Sequence, residues 1–230
     1  AGLLCGALGP YVVWKRLGLL GDAISHASLA VVAIALAAGR SETSLLVPFA
    51  VLLGLIMSFI QDKKFEELDS VIAIFFPGFM ALGLLLMSYT GRGSEEILHT
   101  LFGDISGVSA SDVFWLLVVS AITLSYLLRN RREIRLLLTQ PDLAQIEGIA
   151  VRTHSRWLLV LISVTVVICL KLMGVILVTS LFVAPSLISL SFARTARGHA
   201  ISSIVFGVAI ALGGVAVSAA SKLPTSACIA

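Results

Sequence analysis

The sequence predicts an all-α bundle that crosses a membrane several times, and three observations carry that expectation. Hydrophobic residues make up 58% of the chain and charged residues 13%, against roughly 25% charged in an ordinary soluble domain. Mean hydropathy is +1.05 over the full length, so the apolar excess is not confined to one anchor on a soluble body. The charges present are gathered between charge-free runs of about 20 residues, the length at which a helix crosses a bilayer core. Alternating ten-residue segments are absent and aromatics are 7%, which argues against a barrel with its aromatic girdles. Helices, which satisfy their own backbone, are the expected spanning elements.

In chain order, residues 1–14 (AGLLCGALGPYVVW) are apolar but too short to span at about 1.5 Å per residue. They read as the remnant of a first helix; no basic segment precedes them, so signal-peptide anatomy does not fit. Charge-free runs follow at 23–39, 43–61, 70–91, 113–128, 157–170, 172–193 and 198–221. With the remnant they predict about seven to eight membrane helices. Between Gly91 and Asp112 the stretch GRGSEEILHTLFGDISGVSASD has an apolar centre too short to span, and a short re-entrant or interfacial helix is the economical reading. Pro77 and Pro185 sit mid-run, where each removes a ladder hydrogen bond. Such kinks serve packing or line a pathway. Small residues at fourfold spacing, Gly207 with Ala211 and Gly214 with Ser218, permit close helix contact.

Placing the connections alternately on two sides puts Lys15, Arg16, Lys63, Lys64, Arg129, Arg131, Arg132, Arg135, Arg152, Arg156, Arg194 and Arg197 together. Arg40, Arg92, Lys171 and Lys222 fall opposite, a division of 12 against 4. The richer side is expected to be cytoplasmic, so the net charge of +3 reports orientation and not nucleic-acid binding. The chain ends on the outer side, and a further helix returning to the cytoplasm is expected beyond it. Cys5, Cys169 and Cys228 are far apart and form no metal-knuckle spacing.

An ionisable side chain in hydrocarbon costs about 2.5 to 3.5 kcal/mol on insertion scales, so one inside a span is a functional candidate by default. Residues 21–39, GDAISHASLAVVAIALAAG, contain two. Counted from a helix start near Leu17, His26 lies roughly 14 Å in, near the midplane. Asp22 and His26 are four residues apart and share a helix face. A carboxylate oxygen and an imidazole nitrogen suit zinc, manganese or ferrous iron. Two ligands are too few, but a symmetric pair of chains doubles them, and two carboxylates balance a dication. Ser25 and Ser28 offer a polar lining. The alternative is that Asp22 caps a helix starting at Ala23 while His26 bonds a neighbouring helix.

A second cluster, Glu95, Glu96 and His99, is a possible outer entrance for cations or a solvated loop. Asp104 reads as a turn or cap residue, and His154 and His199 as solvent-facing in basic surroundings. The long cytoplasmic segment, about 129–156, holds a short amphipathic helix. Thr139 and Pro141 start it, Leu143 and Ile146 give its apolar side and Gly148 stops it. It reads as a knob for another protein or as a helix lying on lipid. GxxxxGK[ST] and HExxH are both absent, so neither phosphate-loop nucleotide binding nor the common metalloprotease signature is encoded.

The segments GPYVVWKRLGLLGDAISHASLAVVAIAL, LHTLFGDISGVSASDV, TQPDLAQIEGI and KLMGVILVTSLFVAPSLISLSFART resemble successive motifs of the permease subunit of bacterial zinc, manganese and iron ABC importers. They occur in family order over nearly the whole chain, and the GPYVVWKR opening and the HASL after the motif look nearest to the zinc permeases. The resemblance implies a single transmembrane permease domain over residues 1–230 in the bacterial inner membrane, acting as a homodimer by alternating access. It also implies cytoplasmic ATP-binding subunits, which hydrolyse ATP in place of this chain, and a periplasmic or lipid-anchored metal-binding protein. No permanent cofactor or nucleic acid is implied; the metal is cargo.

The family's GDxxxH motif falls on Gly21, Asp22 and His26. Its ATPase-coupling helix falls on Gln140, Pro141, Asp142, Leu143, Ala144, Gln145, Ile146, Glu147 and Gly148. Many members carry Gly where this chain has Val31, and manganese-type sequences often carry Pro where it has Ala30, which leaves the choice of metal open. The rival cargo is a metal chelate or cobalamin, which needs a wide apolar cavity. An intramembrane metalloenzyme needs a third protein ligand beside the pair, and the sequence offers none.

Overall fold

A computed structural model describes residues 1–38, 42–62, 68–89 and 109–221. Among them the structure is helical, in the order α1 Gly2–Trp14, α2 Leu20–Ala37, α3 Glu42–Asp62, α4 Leu68–Tyr89, α5 Ala110–Arg129, α6 Arg131–Thr139, α7 Pro141–Ile146, α8 Val151–Met173, α9 Val175–Phe192 and α10 Ala196–Ser221. Four stretches are long and apolar enough to cross a membrane: Thr43–Gln61, Ala110–Arg129, Val151–Met173 and Ala196–Ala220. Shorter apolar helices cover Gly2–Trp14, Leu20–Ala35, Pro77–Leu86 and Leu177–Phe192. Among the described residues the charge-free runs of the sequence are helical, apart from the break at Gly174, because in such runs the backbone has no cheaper way to satisfy its polar groups.

The centre belongs to α2 and α8. Helix α8 is buried almost continuously from Leu158 to Leu170. Helix α2 packs against α3, α4, α8 and α9. Helix α1 lies against α9 and α10, and the Ser203 hydroxyl donates to the Gly6 carbonyl across that contact at 2.8 Å. Of the small residues expected to allow close approach, Gly207 does so: a Cβ there would lie 2.5 Å from the Gly2 carbonyl oxygen. The run at 172–193 is not one element, since the chain breaks at Gly174 (φ 80°) between α8 and α9. Pro77 and Pro185 lie inside continuous helices, as do Pro10 and Pro48.

The connection from α1 to α2 is a tight elbow. The amide of Leu17 donates to the Val12 carbonyl and that of Arg16 to the Val13 carbonyl, the paired bonds of a Schellman termination. Arg16 occupies the left-handed position (φ 56°), which glycine usually fills because a Cβ costs roughly 1 kcal/mol there. Helix α2 therefore starts at Leu20 and not near Leu17. His26 is six residues into it, about 9 Å at 1.5 Å per residue, shallower than the sequence count suggested. Asp22 lies in the first turn of α2, not at its cap.

At one end of the bundle, Lys171 in the last turn of α8 donates to Asp112 Oδ1 at 2.7 Å and to Thr43 Oγ1 at 3.0 Å. Asp112 also closes a capping box with Ser109 at the start of α5. One side-chain cluster thus ties α3, α5 and α8. The sequence had placed Lys171 in an outer connection and assigned it no partner. The charge is tolerated because its partner, a 7% exposed carboxylate, is within hydrogen-bond distance.

Candidate functional site

Helix α2 is covered on most sides. Gly21, Ala23, Ile24, Ser25 and every residue from Ala27 to Ala33 are buried. The less covered stripe is the turn that carries Asp22 and His26, four residues apart on one helix face; Ala30, the next position in that register, is buried, and Ile34 is exposed beyond it. Both polar residues are half-buried, and they are close enough for the carboxylate charge to act on the imidazole. Ser28 turns its hydroxyl back onto its own helix, donating to the Ile24 carbonyl at 2.7 Å, so it does not line a site. Ser25 is fully buried, and its hydroxyl oxygen has no hydrogen-bond partner among the described residues.

The helix is held in place by close neighbours. A Cβ on Gly83 of α4 would stand 3.0 Å from Leu29 Cβ and 3.1 Å from the Ala30 nitrogen. Only glycine lets α4 come this near to α2, one turn beyond His26. A Cβ on Gly21 would meet Thr179 of α9 at 3.3 Å. No group of three or more His, Cys, Asp or Glu side chains that could hold a metal ion occurs among the described residues. The chemistry of the half-covered pair is one hard oxygen and one borderline nitrogen.

Glu95, Glu96, His99 and Asp104, and the re-entrant helix expected around them, lie outside the described residues. On the face richer in basic residues, the expected short helix is α7, Pro141–Ile146, with proline in its first turn and Gly148 in the left-handed region after it (φ 76°). Ala144 is buried under it, whereas Leu143 is exposed and Ile146 is 82% exposed. The sequence reading missed α6 before it. The signal was there in Ile134 and Leu137, the buried positions at threefold spacing in RREIRLLLT.

Two expectations for histidines are overturned. His154 is not solvent-facing: its Nε2 pairs with Glu133 of α6 at 2.8 Å and its Nδ1 with the Tyr126 hydroxyl at 2.8 Å, fastening α6 to the bundle. His199 is 2% exposed. The Trp14 indole N–H donates to its Nδ1 at 2.7 Å, and its Nε2 lies 2.9 Å from the Ser186 carbonyl oxygen. Both side chains are drawn in because α1, α5 and α9 supply polar partners at the bundle's end, which a reading of local charge cannot see.

A sequence model of the ABC 3 transport family matches residues 1–230. The chain is 29% identical over 185 residues to the manganese transport system membrane protein MntC of Listeria monocytogenes, covering 80% of this chain and 66% of that protein. It is 25% identical over 217 residues to the high-affinity zinc uptake system membrane protein ZnuB of Haemophilus influenzae, covering 94% and 83%. Among solved structures it is similar to PsaBC from Streptococcus pneumoniae in complex with Fab, with a TM-score of 0.83 and 25% identity over 99% of this chain and 82% of that one.

Proposed function

Since the chain belongs to the ABC 3 transport family, we propose that it is the permease subunit of an importer that carries a divalent transition metal into a bacterial cell. Zinc is the first candidate cargo, manganese and iron the next. The observation that carries the proposal is the stripe on α2. A helix otherwise enclosed by its own chain leaves Asp22 and His26 half-covered, and a carboxylate facing acyl tails would be costly. A second copy related by a twofold axis covers the stripe and completes a set of two oxygens and two nitrogens. Two carboxylates neutralise the dication, so metal passes through the bilayer without leaving net charge there.

In this reading the protein is a multi-pass inner-membrane homodimer with seven to eight crossings per chain, and it alternates access to the paired site between the two faces. Affinity is moderate by design, because a carried ion must leave as well as enter. Imidazole ligates only when neutral, so binding and proton release are linked. The chain has no phosphate-binding loop, and the energy comes from separate ATP-binding subunits. Exposed Leu143 and Ile146 on α7 give those subunits an apolar knob to grip. A periplasmic or lipid-anchored binding protein delivers the metal. The zinc and manganese relatives agree with the donor set, which serves both metals.

The test is metal uptake by the chain reconstituted with its ATPase subunits in proteoliposomes, with Asp22→Ala and His26→Ala compared to wild type. Uptake is expected to fall to background in both while ATP hydrolysis persists. Wild-type uptake in either variant removes that residue from the site.

A further inference from the structure

The transport reading leaves unused a second set of polar residues inside the bundle, gathered around His199 in the first turn of α10. Trp14 is the last residue of α1, and its indole can only donate. Its N–H reaches His199 Nδ1 at 2.7 Å, so that nitrogen must be the acceptor and the ring proton resides on Nε2. Nε2 in turn donates to the Ser186 carbonyl at 2.9 Å, with the Ser186 hydroxyl at 3.1 Å. The His199 carbonyl accepts from the Ser189 hydroxyl at 2.8 Å. One side chain, almost without exposed surface, thereby joins α1, α9 and α10 with its tautomer fixed.

What the Trp14 arm holds is the elbow that precedes the proposed site. Immediately after Trp14, the chain places Arg16 in the left-handed region, a conformation that costs an arginine energy and persists only where the surroundings enforce it. Asp22 follows six residues later, in the first turn of the helix that the elbow launches. A rotation at the elbow is carried rigidly into α2 and moves Asp22 and His26 together.

We propose that His199 is a positioning residue for transport: by accepting the Trp14 indole hydrogen bond it pins the α1–α2 elbow and fixes where Asp22 and His26 stand. This rests on the function proposed above and adds a residue remote in sequence. Two substitutions separate the arms of the ring. His199→Asn keeps an acceptor oxygen near the Nδ1 position but loses the reach to Ser186; His199→Gln keeps a donor near the Nε2 position and loses the acceptor for Trp14.

The test uses the chain reconstituted with its ATPase subunits and reads two quantities: metal uptake, and hydrogen exchange of the amides at 17–22. His199→Gln and Trp14→Phe are each expected to raise that exchange and lower uptake by about fivefold to tenfold, the effect of one lost part-buried hydrogen bond. The double variant should be no worse than either single one, since both remove the same bond. His199→Asn should stay within about twofold of wild type. Unchanged elbow exchange in His199→Gln, or equal losses in the Asn and Gln variants, overturns the inference, because a space-filling role predicts no difference between the arms. Wild-type uptake in Asp22→Ala and His26→Ala instead overturns the site, a result read without reference to the elbow.

Discussion

Of the three described histidines on apolar helices, His26, His154 and His199, the first and last are treated most differently. His199 is 2% exposed, and both its nitrogens are engaged inside the chain by Trp14 and Ser186. His26 stands half-covered, one helical turn from the half-covered Asp22. The difference lies in how far neighbouring helices cover the ring: His199 is enclosed, whereas His26 is half-covered beside Asp22.

That contrast predicts a separation of effects. His26→Gln is expected to lower metal uptake by more than about 100-fold, since losing even an outer-shell partner of a metal ligand costs 10- to 100-fold. Thermal unfolding of the purified chain should stay close to wild type, and a large drop in the midpoint would make His26 a tie like His199. Lys171→Met should do the reverse. It leaves the nearly buried Asp112 carboxylate unpaired and should cost about 2 to 4 kcal/mol of stability, the lower end reflecting the 30% exposure of the lysine. Adding Asp112→Asn should recover much of that loss in the same melting experiment.

Gly83→Val probes the wall of the site. With a Cβ already within about 3 Å of α2, the larger side chain forces the two helices apart and is expected to cost about 1 to 3 kcal/mol. Uptake should fall along with the melting temperature. If stability drops and uptake does not, α2 can shift without consequence, and the placement of the pair matters less than its chemistry. The smallest effect belongs to Arg132→Ala. The Arg132 and Glu147 side chains meet at 3.3 Å but are 77% and 37% exposed, so removing the pair should change stability by no more than about 0.5 kcal/mol.

Most of the architecture was legible in the sequence because lipid imposes one rule on every span: the backbone must be satisfied within the segment, so an uncharged run becomes a helix. The short helix at Pro141–Ile146 was equally readable, from proline at its start and glycine after its end. The pairing of Asp22 with His26 followed from helical spacing alone. What escaped the sequence shares one physical property, which is dependence on contacts between distant elements. The start of α2 at Leu20 follows from the Schellman termination of α1. Lys171 reaches back 128 residues to Thr43, and His199 reaches 185 residues to Trp14.

The sequence by itself thus determined the helices and supplied an expected orientation and two candidate ligands, because hydropathy, charge bias and the 3.6-residue period are local quantities. Only the tertiary structure decided which polar residues are spent holding the bundle together and which remain turned outward from it. A hydrogen bond between two helices depends on where both backbones come to rest, and no window of sequence contains that information.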